Sequence, residues 1–147
     1  MQVQQRSAEV AYGSDKDGLV WGYLFEPGRA AVEVDMAAAA SRLGSQPGSF
    51  CWLHYSLSNA AAERSMRSQL QLPEAFYNSL TEKVGSTRLE QEDDNLIAVV
   101  HDVLFSTSFD SSSVSTVTLC VTPRMLASAA KPSCAKYSSR SRGSSRP

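Results

Sequence analysis

Glu90, Glu92, Asp93 and Asp94 put four carboxylates within five positions of this 147-residue chain. Carboxylate oxygens are hard ligands for divalent cations, and a turn lets neighbouring side chains converge. The four are therefore the candidate metal residues, beside the plainer reading of an acidic turn facing solvent. Cys51 and His54 stand three apart, a spacing that joins two ligands on a helix and separates them onto opposite faces of a strand. The types around them, from Phe50 to Tyr55, are those of a strand, so the pair reads as structural. His101 and Asp102 could be imagined as base and orienter for Cys120 or a serine, but adjacent strand residues diverge in the same way. A Gly-rich phosphate loop, His-Glu-x-x-His, Gly-x-Ser-x-Gly and an EF-hand pattern are all missing from the sequence. No catalytic residue, no enzymatic turnover and no tightly bound cofactor is expected, only divalent cations held weakly.

Charge narrows the function classes. The chain has 14 Lys and Arg against 15 Asp and Glu, yet five of the basic residues fall in the last seventeen positions with no acid among them. Before position 131, nine basic residues face 15 acidic ones, a net charge of −6. An acidic body does not track a phosphate backbone, so nucleic acid is not an expected partner, whereas cations are. The three cysteines are widely spaced and odd in number, which reads as reduced thiols in a cytosolic setting. Residues 1–6 lack the apolar stretch of a secretory signal. No uninterrupted apolar run exceeds five residues, as at 96–100, far below the roughly 20 a membrane helix needs.

The elements that would position these residues can be read from periodicity and turn chemistry. Residues 1–17 form a polar lead-in. Positions 19–25 are branched and aromatic and end at Pro27-Gly28, predicting a strand, and 29–34 could return beside it as a hairpin. Asp35 is placed to cap an Ala-rich helix through Leu43, with Gly44 at its end. Residues 50–55 are nearly all apolar and predict a central strand covered on both faces. Asn59 is placed to cap a helix over 60–69. Leu72-Pro73-Glu74 opens another, with Pro73 at the first helical position and Ala75, Phe76, Ser79 and Leu80 as its buried stripe. Strand, turn and strand follow at 87–92, 93–95 and 96–103, then a Ser-rich loop at 106–113, a strand at 114–121 and a last strand at 125–129. The expected fold is an α/β (α+β) domain over residues 18–130, in two or three layers, with a mixed, largely antiparallel sheet and helices packed on it.

Residues 131–147 hold six Ser, five basic residues and two Pro, with Cys134, Ala135 and Tyr137 as the apolar ones. Such a basic tail cannot build a core and is expected to be solvated and disordered. Contact with anionic lipid or nucleic acid is the alternative.

The succession of motifs resembles a known family. Phe50-Cys51-Trp52-Leu53-His54-Tyr55, followed by Asn59-Ala60-Ala61-Ala62-Glu63-Arg64, is similar to the strand and Asp-Pro-Ala-Ala-Glu-Arg helix in the cytoplasmic domain of CorA-type divalent-cation transporters, in particular their zinc-transporting ZntB branch. Leu72-Pro73-Glu74 looks like the start of the family's next helix, and Arg88-Leu89-Glu90 like part of its Arg-Pro-Arg-Leu-Glu segment. Asp94-Asn95-Leu96-Ile97 resembles its Gly-Asp-Gly-Leu-Leu turn, and Thr122-Pro123-Arg124-Met125-Leu126 its Thr-Pro-Arg-Arg-Leu-Ile turn. The likeness covers about residues 18–129. Ser86, Thr87, Glu92 and Asp93 depart from it, and Tyr77 and Asn78 stand where the magnesium branch has the acidic pair of a regulatory site, so that site is not carried over.

The resemblance implies a domain that joins a homopentameric funnel, attracts or senses zinc or magnesium, and couples to a pore of two C-terminal membrane helices with a Gly-Met-Asn signature. Neither the helices nor the signature lies in this sequence, so the expected membrane link is through parts outside it. A full-length protein would place the domain on the cytoplasmic side of the cell membrane, and the chain alone would be soluble and cytoplasmic. The change of composition after Ala130 falls where the family continues toward its long helix; a deliberate cut, an early stop or a frame shift would each produce it. The alternative is a stand-alone soluble binding or scaffold protein derived from such a domain.

Overall fold

The computed structural model describes residues 14–45, 47–82, 87–103 and 114–131. The Ser-rich loop expected at 106–113, most of the lead-in and the tail beyond Lys131 lie outside them. Strand β1, Leu19–Phe25, is followed by the two-residue β2, Val32–Glu33. The return strand expected over 29–34 shrinks to those two residues because only Tyr23 and Leu24 find partners in it. The crossing chain then bonds through Val34 N–H to the Gly22 carbonyl at 2.8 Å. A side chain at Gly22 would meet the Val34 oxygen at 2.5 Å, so this passage needs glycine.

Helix α1, Met36–Ser45, starts as expected, with Asp35 Oδ1 accepting from the Ala38 amide at 2.8 Å, and it runs past Gly44. β3 is Phe50–Ser56. Asn59 does not cap the next helix. Its Oδ1 accepts from Ala61 N–H at 2.8 Å and its amide donates to Ser14 Oγ and the Asp15 carbonyl, so it fixes the turn ahead of α2, Ala62–Gln69. Pro73 sits one position earlier than expected, as the extended N-cap of α3, Glu74–Thr81. The buried face of α3 is Phe76, Tyr77 and Ser79, with Ala75 and Leu80 partly covered; Tyr77 joins because its hydroxyl donates to the Leu70 carbonyl at 3.3 Å. α2 and α3 are clasped by Arg67, which donates to both oxygens of Glu74 and to Glu63, and stands 4.1 Å over the Tyr77 ring.

β4 (Arg88–Glu92), β5 (Asn95–Val103), β6 (Val114–Val121) and β7 (Met125–Lys131) complete one seven-stranded sheet in the order β2-β1-β3-β7-β6-β5-β4. β3 and β7 pair in parallel and every other neighbour antiparallel, the mixed and largely antiparallel sheet that the element order predicts. Alternation gives the sheet two unlike faces. Leu24, Cys51, Leu53, Tyr55, Ala127, Ala129, Cys120 and Ile97 pack with Met36, Ala39, Ala62, Met66, Phe76 and Tyr77 of the helices in one core.

The other face corrects an expectation. Among the described residues β3 has helices on one side only: Cys51, Leu53 and Tyr55 are wholly buried there, while Phe50, Trp52 and His54 on the other side are partly buried. All three described helices pack on the first face, so the described fold has two layers. We call the second one the open face.

Candidate functional site

The acidic hairpin lies at the sheet's far edge, where β4 is the last strand. Register places Glu90 opposite Ile97 and Glu92 opposite Asn95, so both point to the helix side, while Asp93 and Asp94 form the two-residue turn. Asp93 takes a positive φ of 52°, which Asp tolerates better than most residues. The Glu90 carboxylate lies 3.6 Å from Arg88 Nε, and the same guanidinium pairs with Glu82 and donates to Ser79 Oγ. One of the four acids is thus partly neutralised, and the turn acids project outward into solvent. Among the described residues no three His, Cys, Asp or Glu side chains gather in an arrangement that would hold a metal ion. The hairpin can supply negative potential to passing cations, a long-range effect that needs no converging ligands.

A second cluster, not singled out by the sequence, occupies the middle of the open face. Trp21 stacks on His54 with ring centroids 4.2 Å apart and meets Trp52 edge-on at 5.6 Å. Trp52 Nε1 donates to Ser128 Oγ at 3.0 Å, and His54 Nδ1 lies 2.7 Å from the same oxygen. The hydroxyl has one proton and two lone pairs, so beside the indole N–H that it accepts it meets Nδ1 of the neutral imidazole as donor or acceptor according to the ring's tautomer. Burial holds the His54 pKa below its ordinary value, in keeping with that neutral form. The geometry has a serine and a histidine in contact, but Ser128 is 2% exposed and no carboxylate bonds to His54 among the described residues. Access and an orienting group are what nucleophilic chemistry needs here, so the cluster works as an anchor for the face. Only the pairing of β7 with β3, 74 residues apart, brings Ser128 to His54.

The remaining candidates separate as their spacing predicts. Cys51 lies in the core and His54 on the open face. His101 turns to the helix side, where Nδ1 lies 2.9 Å from Thr116 Oγ1; the Asp102 side chain lies outside the described residues. Burial pushes the thiols of Cys51 and Cys120 up to about 11, which keeps both protonated and unreactive at neutral pH. A cavity of about 620 Å³ beside β1 is bordered by Asp15, Glu33, Asp35 and Trp21. No described helix is long and apolar enough to cross a membrane.

No family model and no curated protein matches the sequence. Solved structures do match the fold. The full-length CmaX protein superposes with a TM-score of 0.65 at 19% identity, over 80% of this chain and 36% of its own. The ZntB cytoplasmic domain from Vibrio parahaemolyticus RIMD 2210633 superposes with a TM-score of 0.60 at 14% identity, over 78% of this chain and 44% of its own. The match therefore spans less than half the length of either. At such identities what the likeness establishes is architecture: the chain has the α/β fold of a ZntB-type cytoplasmic domain.

Proposed function

We propose that this chain is the cytoplasmic domain of a divalent-cation transporter, for zinc or magnesium, one subunit's share of a homopentameric funnel that attracts or senses cations and couples to a membrane pore outside this sequence. The observation that carries the reading is the fold likeness to the ZntB cytoplasmic domain, reached independently of the motif succession. The net charge of −6 before position 131 supports it, because a negative vestibule raises the local concentration of cations. The hairpin bearing Glu90, Glu92, Asp93 and Asp94 is the strongest local source of that potential in this reading, with weak uptake at millimolar to micromolar concentration and no catalytic turnover. The domain sits on the cytoplasmic side of the cell membrane, touches the bilayer only through segments outside this sequence, and takes other copies of itself as partners.

Reading the encoding DNA beyond codon 130 in all three frames tests this directly. The proposal expects a long charged helix, two apolar spans of about 20 residues and a Gly-Met-Asn signature. A gene without them contradicts it and leaves a stand-alone binding or scaffold protein.

A further inference from the structure

We draw no further inference here: the strongest candidate, the sheet face opposite the helices with its Trp52 and His54 rings bonded to Ser128, carries nothing because nothing in the structure shows what covers it.

Discussion

Ser128 Oγ serves two rings at once, Trp52 through its indole N–H and His54 through Nδ1, and it is 2% exposed while doing so. Replacing it with Ala leaves both ring nitrogens without their partner in a half-buried setting. Ser128→Ala should therefore lose about 1–3 kcal/mol in urea unfolding, more than the swap of a surface serine. His54 adds a pH dependence with a definite sign. Its folded pKa lies below the ordinary 6.5, so the unfolded chain binds the proton more readily. The stability present above pH 6.5 is then lost as pH falls through the depressed folded value, and His54→Gln should flatten that part of the unfolding profile. At the same scale, Cys51 and Cys120 should resist iodoacetamide at pH 8 in the folded protein and react once it is unfolded, because burial holds both near 11.

At the scale of elements, close passages decide which substitutions are tolerated. Gly22→Ala drives a methyl group to 2.5 Å from the Val34 carbonyl and should cost about 2–3 kcal/mol, whereas Gly28→Ala meets nothing within 4 Å and bears only its φ of +72°, about 1 kcal/mol. Comparing the two urea midpoints checks the crossing of β1 by the chain entering α1. The strands were legible in the sequence because branched and aromatic runs such as 19–25, 96–103 and 114–121 end at turn residues, and the Asp35 cap was legible because a helix start needs an acceptor. Asn59 misled by satisfying a turn instead, and β3 misled because an unbroken apolar run was read as two-sided burial. The run serves the core on one face, and on the other it carries the Trp52 and His54 rings bonded to Ser128, which no described helix covers. The Trp21–His54–Ser128 grouping was invisible because the parallel partnership of β3 and β7 is set by tertiary register, which no local pattern encodes.

For the whole molecule, an acidic body on a ZntB-type fold makes one thermodynamic demand. A ligand that binds only the folded state stabilises it by mass action, by about 1.4 kcal/mol at a tenfold excess over its dissociation constant, or about 4–5 °C in melting midpoint for a domain of this size. General ionic screening acts alike for any salt at equal ionic strength, so the comparison must be made at that condition. The decisive measurement is the melting midpoint of the 147-residue chain in zinc, in magnesium and in sodium chloride at matched ionic strength, beside a variant carrying Glu90→Gln, Glu92→Gln, Asp93→Asn and Asp94→Asn. The account predicts a midpoint raised by a few degrees in at least one divalent salt and a smaller rise in the variant; midpoints identical in divalent and monovalent salt would contradict it.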